Sequence, residues 1–558
     1  MERRNFLKNI MHLAAVPLVS NQLFAHVIDT RTISTEAMTM ISDDIDKVLV
    51  LIKLHGGNDG LNTIIPLDQY SKLADPKVRG DIIIPENNIL KLNGADTLGM
   101  HPSMTAMQQL FNDSKLSIIQ GVANTAGVFS HFHGIDQWET ASDQYNTYSS
   151  GWIGRYIEKN YKYSSTHYPN LCMPDPLAIE IATSSLLTRG SGTILSQYMS
   201  AGFNGNVTQL LDNYADDNIS DNMKFELEFL RKQQSHTIDY GNKITQAWSN
   251  GINSVTYPNS NISSSFGYTN PTTLSQQLKI VARLIKGGLK TRIFVVSIGN
   301  FDTHKKQGSD GLSWHSLLLK DLSEAIGTFQ KDIENMGIAE RVVGMTYSEF
   351  GRRVPSNSEN GTEHGFAAPM FVFGKSVKGG VIGTNYQIDD VSLVNAGTMV
   401  PLQFDYRQVY STILQKWFGI CKDDATDVIK KDVTLIDNII KEEVVIKPCI
   451  MGALVDPKDS KCTVSIIDIT GDDHELYARI QPNPSNGLFK IETVFGFDYN
   501  QPIQISIHNV NGVLIYSNKK YYQEKEIISI DLELSSGIYI VSIQNNKYRL
   551  NQKLSIQK

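Results

Sequence analysis

Runs of consecutive apolar residues alternate along the chain with stretches whose apolar positions recur every three to four residues. The first run is Val48-Leu49-Val50-Leu51-Ile52, set between Lys47 and Lys53. Leu116 to Gln120, Arg292 to Ile298, Arg341 to Tyr347 and Pro369 to Gly374 come after it. Near-continuous Val/Ile runs suit strands that are covered on both faces. Helical periodicity falls at about 103–111, 222–248, 273–286, 313–336 and 405–418. Strands interleaved with helices predict an α/β domain on a mostly parallel sheet flanked by helices. Residues 421–479 lose this rhythm and read as the end of that domain plus a connector. After the turn cluster Gln481 to Gly487 the period drops to two, in Ile503 to Ile507, Val513 to Tyr516 and Ile538 to Ile543. Asn511-Gly512 and Ser536-Gly537 punctuate these stretches, which predicts a small antiparallel β-sandwich over 480–558.

Composition narrows the function classes. Lys plus Arg number 51 against 58 Asp plus Glu, a formal net charge of −7. Broad electrostatic binding to nucleic acid needs a basic surface, so that class is excluded. Hydrophobic residues at 41% and charged residues at 20% describe a globular chain, and 558 residues suffice for several domains. No internal stretch approaches the ~20 apolar residues of a membrane span, so none is expected in the mature chain. Cys172, Cys421, Cys449 and Cys462 are too few for a disulfide scaffold and fit no zinc ribbon. Cys449 and Cys462 are candidates for a disulfide in an exported chain. The start supports export: Arg3-Arg4-Asn5-Phe6-Leu7-Lys8 precedes an apolar run from Ile10 to Val19, then Ser20 to Ala25. The paired arginines resemble a twin-arginine signal over residues 1–25. Twin-arginine and general export machinery are both candidate partners.

Candidate chemistry lies after the strands, where open α/β sheets bind ligands. The first strand leads into His55-Gly56-Gly57-Asn58-Asp59-Gly60, and the second into a loop that reaches Ser130-His131-Phe132-His133. Asn300-Phe301-Asp302-Thr303-His304 comes after the third, and Ser348-Glu349-Phe350-Gly351-Arg352-Arg353 after the fourth. A later loop carries Gly361-Thr362-Glu363-His364-Gly365. Each motif alone has a plainer use, as a turn, a helix cap or an ion pair. His131 and His133, two apart, share a face if that segment is extended. Acidic and imidazole groups at several ends of one sheet can converge on a divalent cation. No Gly-x-Ser-x-Gly elbow occurs, and no dinucleotide fingerprint stands after a strand.

Two resemblances sharpen this. Pro482-Asn483-Pro484, Asn509-Val510-Asn511-Gly512 and Leu534-Ser535-Ser536-Gly537-Ile538-Tyr539 resemble the C-terminal sorting domain of the type IX secretion system. That implies cargo of a Bacteroidetes-type cell, placed on the cell surface or outside it after crossing both membranes. Gly56-Gly57-Asn58-Asp59-Gly60-Leu61-Asn62, Ser130-His131-Phe132, Phe301 to His304, Ser348 to Arg352 and Gly361 to Gly365 together resemble a family of exported bacterial proteins. That family is placed in the alkaline phosphatase/sulfatase superfamily, and the match spans about 45–420.

The second resemblance implies a metal-dependent hydrolase of phosphate or sulfate esters. Asp59, Asp302, His304, Glu363 and His364 take the places of metal ligands, with His315 as a further candidate. Glu363 stands where Asp is usual. Ser130 takes the place of the nucleophile. Arg352 or Arg353 is placed to clamp substrate oxygens. The metals implied are divalent, with zinc, manganese and calcium all open, and the substrate is a small-molecule or glycan ester. The alternative from a different class is a non-catalytic cell-surface binding protein that keeps the fold.

Overall fold

The computed structural model describes residues 47–125, 127–143, 145–161, 174–190, 196–200, 202–205, 239–259 and 273–441. Between 454 and 556 it describes chiefly the strands. The expected export signal, the helical pattern over 222–238, and Cys449 and Cys462 lie outside the described residues. Cys421 is disulfide-bonded.

The chain divides into two compact units. The first holds residues up to Tyr148, Ser254–Leu278 and Arg292–Cys449. Its sheet is built from β1 (Val48–Leu54), β2 (Leu116–Ala123), β3 (Ile293–Ile298), β4 (Val342–Tyr347), β5 (Ala368–Phe373) and β6 (Gly380–Ile382). They lie in the order β6-β2-β5-β4-β1-β3. All seven residues of β1 are buried, as the apolar run requires. It pairs in parallel with β3 on one side and β4 on the other. β5 runs antiparallel to both β4 and β2. Two reversals cancel, so β2 points the same way as β4, β1 and β3. The carboxyl ends of these four strands therefore open on one edge of the sheet, which gathers the loops that carry the candidate residues. The sheet is mostly parallel and flanked by helices, as the periodicity predicts.

Three helices position the site: α1 (Thr105–Asn112), α2 (His131–Thr140) and α3 (Trp314–Asn335). α1 and α3 pack closely, with Gly327 of α3 leaving room for Ala106 and Ser323 accepting from the Met107 amide. α2 is tied down at its far end. Glu139 pairs with Lys53 of β1 at 3.1 Å and accepts from the Tyr347 hydroxyl of β4 at 3.1 Å. Lys53 and Glu139 are both buried. A buried charge left without its partner is costly, so this pair anchors the carboxyl end of α2. Because 131–140 is helical rather than extended, His131 and His133 do not share a face. Two positions along a helix are about 200° apart, and His133 turns to Gln137 within α2.

The second unit contains Ser149–Asn253, Lys279–Thr291 and Ile450–Lys558. In it Ala178–Ile181 and Ser196–Met199 pair in parallel. Its C-terminal part has two antiparallel sheets, one of three strands and one of four. Phe489, Ile491, Ile505, Ile507, Val541, Ile543, Leu554 and Ile556 form one apolar core between them. The alternate residues of Ile503–Asn509 and Gly537–Gln544 supply that core, as period-two patterning demands. Among the described residues no helix is long and apolar enough to cross a membrane.

Candidate metal centre at the strand ends

β1 ends in a turn whose glycines are dictated by contact. Gly56 has φ +122°, and a Cβ there would meet the Asp302 amide nitrogen at 2.5 Å. Gly57 has φ +76° and lies against the Phe350 ring. The turn after β1 is thereby pressed onto the loops after β3 and β4. Arg352 joins the three. Its side chain is fully buried and donates to the carbonyls of Gly56, Gly57, Phe301 and Thr362, and to Asp302 Oδ1 at 2.5 Å. All of its nitrogens are thereby committed. Arg352 fixes Asp302 and has no fork left for a substrate. Arg353 donates to the carbonyls of His364 and Ala396.

Around Asp302 stand three imidazoles. His131 Nε2 is 3.4 Å from Asp302 Oδ2, and His304 Nε2 is 3.1 Å from Oδ1. His364 Nε2 is 3.2 Å from the same Oδ1 and 2.9 Å from His304 Nε2. The opposite ring nitrogens are all engaged. His131 Nδ1 lies 2.8 Å from Glu349 Oε1, His304 Nδ1 2.9 Å from Glu363 Oε2, and His364 Nδ1 2.7 Å from the Phe129 carbonyl. Carboxylates and carbonyls accept, so each Nδ1 donates, and in a neutral ring each Nε2 is left with a lone pair. The two glutamates are themselves held. Glu349 also accepts from the Gly56 amide, and Glu363 from Asn357.

The electrostatics arise from this packing. Hydrogen bonding to Glu349 raises the His131 pKa above the ordinary histidine value, against the effect of burial. Burial lowers that of His364. Burial pushes the Asp302 carboxyl up, but the hydrogen bond and charge of Arg352 outweigh it and hold the group below its usual range. Burial likewise opposes, and Asn357 and His304 overcome, in the lowering of Glu363.

The other expected residues sit differently. Asp59 is completely buried, paired with Arg79 at 2.6 Å and accepting from Gln307 at 2.5 Å. It serves the packing under the loops. His315, also expected near the metal, is buried on α3 and meets Asn58 at 3.0 Å. Glu363 orients His304 from behind rather than facing the centre of the cluster. Ser130 is exposed at the N-cap of α2, next to His131, and its hydroxyl makes no capping bond. His131 and Glu349 stand in the sequence motifs but were not expected to serve the metal. The signal was present, since both come after strands that end on the edge bearing Asp302.

The donors present suit a divalent ion. Three imidazoles and a carboxylate converge, a donor set that divalent ions accept. Each imidazole is backed by an acceptor of the kind that orients metal-bound histidines. His131, Asp302 and His364 place one ligand atom each within 4.8 Å of one another.

Fold and cluster together define an α/β protein with a histidine–aspartate centre at the carboxyl edge of its sheet. Residues 46–431 match the model of the family described as "Protein of unknown function (DUF1501)", and the chain belongs to that family. This agrees with the resemblance drawn from the motifs. Residues 479–557 match the secretion system C-terminal sorting domain. No curated protein matches the chain. Among solved structures it is distantly similar to a protein in the alkaline phosphatase superfamily from Vibrio parahaemolyticus, at 8% identity and TM-score 0.29 over 92% of this chain and 83% of that one. The lipoteichoic acid synthase LtaP from Listeria monocytogenes matches at 8% identity and TM-score 0.27, over 84% of this chain and 86% of its own. A Bacteroides thetaiotaomicron protein, reported under the metabolism of multiple glycosaminoglycans, matches at 8% identity and TM-score 0.31, over 85% of this chain and 90% of its own.

Proposed function

We propose that the protein is an exported, metal-dependent hydrolase of phosphate or sulfate esters. The observation that carries this reading is the open cluster of His131, Asp302, His304 and His364, with Ser130 next to His131 in the chain. Side-chain exposures of 43% for Asp302, 32% for His304 and 23% for His131 leave the centre accessible to a substrate. His131, Asp302 and His364 would hold a divalent ion, which would supply Lewis-acid charge to an ester oxygen and lower the pKa of a nearby hydroxyl. Ser130 supplies that hydroxyl. It forms a bond to phosphorus or sulfur while the ester oxygen leaves, and water then hydrolyses the covalent intermediate. Arg352 holds Asp302 in place, and Glu349 and Glu363 hold His131 and His304 in the tautomer that faces the centre. The C-terminal tail supports delivery by type IX secretion to the cell surface or medium, after inner-membrane export directed by residues 1–25. About 45–420 then forms the working domain, 421–479 the connector and 480–558 the sorting tail.

One observation favours the binding-protein alternative. Asp59 is committed to Arg79, and Arg352 to four carbonyls, so two groups expected of an ester hydrolase do not face the cluster. Hydrolysis of p-nitrophenyl phosphate and p-nitrophenyl sulfate, with and without chelator, separates the two readings. Ser130→Ala is expected to lose turnover and keep its metal. Full activity in that variant removes Ser130 from the mechanism, and no activity in the metal-loaded parent removes the hydrolase reading.

A further inference from the structure

We infer that His55 is a further catalytic residue of the ester hydrolysis proposed above, the group that protonates the oxygen as it leaves. The inference rests on the hydrolase reading, which supplies a nucleophile but no proton for the leaving group.

His55 stands just after β1, and its backbone is tied to the neighbouring strand. Its amide donates to the Ile298 carbonyl of β3 at 2.9 Å, and its carbonyl accepts from the Phe301 amide at 3.1 Å. The next residue, Gly56, has no room for a side chain against the Asp302 amide, so this turn sits closely on the loop after β3. His55 itself is exposed, and its ring stacks on that of His131, with centroids 6.1 Å apart and planes 28° apart. One oxygen holds the two together. Glu349 Oε1 accepts from the Gly56 amide at 2.7 Å and lies 2.8 Å from His131 Nδ1. Burial raises the Glu349 carboxyl, but the His131 bond and the charge of His55 help to bring it below its usual range. Ser130 precedes His131 in the chain, so the nucleophile and the stacked ring border the same imidazole.

The other imidazoles of this region are occupied. His131, His304 and His364 use their rings on Asp302, Glu349, Glu363 and the Phe129 carbonyl. His101 and His315 are buried, and His133 turns to Gln137. Among the described residues, His55 is the imidazole at this edge whose ring makes no hydrogen bond to a protein group. An exposed ring of that kind can give a proton and take one back, which is the work of a general acid–base group.

The step balances. As the bond from Ser130 Oγ to phosphorus or sulfur forms, the bond to the ester oxygen breaks, and protonated His55 passes its proton to that oxygen, so an alcohol leaves. Water then attacks the covalent intermediate, His55 takes back one of its protons, and Ser130 departs as the ionised oxygen that attacked. The phosphate or sulfate keeps the remaining OH, and His55 ends protonated as it began. The benefit depends on the leaving group. An alkyl or sugar oxygen leaves poorly as an anion, whereas nitrophenolate carries its charge well.

The test uses the full exported chain with the methyl and p-nitrophenyl esters of phosphate and of sulfate. His55→Ala should lower kcat/KM for the methyl ester by about 100-fold or more, and for the p-nitrophenyl ester by less than about 5-fold, with circular dichroism unchanged. His55→Gln, polar and of similar reach but unable to pass a proton, should behave like His55→Ala. His133→Ala should leave both rates as they are. Equal losses on the two esters, no loss on either, a full methyl-ester rate in His55→Gln, or a parent that hydrolyses the p-nitrophenyl ester alone overturns this role and leaves the hydrolase reading standing. A parent that hydrolyses neither ester ends the hydrolase reading and this role with it.

Discussion

Asp59 and Asp302 come after neighbouring parallel strands, and each is paired with a buried arginine, yet they do opposite work. Asp59 touches Arg79 and Gln307 in a region with no solvent. Arg79 and the hydrogen bonds to it outweigh burial and hold its pKa low. Arg79 offsets the charge there, under the loops, although Asp59 Oδ1 has no hydrogen-bond partner. Asp302 lies half in solvent, with Arg352 behind it and three imidazoles around it. There Arg352 pairs with the carboxylate from behind, and its open side faces the imidazoles. The residue type and the strand-end position are shared. What separates a structural carboxylate from a ligating one is the set of groups that surrounds it.

The contrast can be broken most directly by exchanging its two members. Asp59→Ala strands Arg79 in the interior and should cost about 3–5 kcal/mol of stability, read by denaturant unfolding. Asp302→Asn also takes a carboxylate from a buried arginine, but Arg352 keeps its four carbonyl partners and an amide oxygen, so the cost to the metal-free chain should be smaller, about 1–3 kcal/mol. Metal content should show the reverse ranking. Equal losses of stability in the two variants would remove the distinction.

Acid should attack the closed region first. Burial lowers the pKa of His315 to about 4 and that of His101, buried against Ser316 of α3, to about 3. In the unfolded chain both rings protonate near the ordinary histidine value, so the unfolded state binds more protons over this range and stability falls as pH drops below about 6.5. The loss is about 2 kcal/mol per histidine between about pH 6.5 and pH 5. Denaturant midpoints across that range measure it, and a flat profile would show that neither ring is held neutral. Asp59 acts lower down. Its contribution is present above the unfolded carboxylate value and is lost as pH falls through its lowered folded pKa.

The smallest effect sharpens the open region. Glu363→Gln keeps a hydrogen-bond acceptor for His304 but removes the charge. Affinity for divalent metal should fall by about 10–100-fold, with stability nearly unchanged, measured by competition with a coloured chelator. No loss would mean that Glu363 does not orient His304.

Much of the fold was legible because it rests on local pattern. The continuous apolar runs marked β1, β3 and β4, and period-two alternation marked the C-terminal core, since burial on two faces or one leaves that imprint. The orientation of α2 was not legible. It depends on Lys53 and Glu139, 86 positions apart in sequence, forming a buried pair. The helical state of 131–140 was not legible either, and with it the separation of His131 from His133.

The sequence by itself determined which chemistry is available: histidines and acids placed after strands, glycines where loops must touch, and a tail with its own alternation. Only the tertiary structure decided which of those groups meet. Asp59, Glu349, Glu363 and Asp302 are all carboxylates after strands or in the gathered loops. Arg79 neutralises the first, two Nδ1 hydrogens occupy the next two, and three imidazoles surround the last. Charge compensation is settled by neighbours in space, and those neighbours come from loops far apart along the chain.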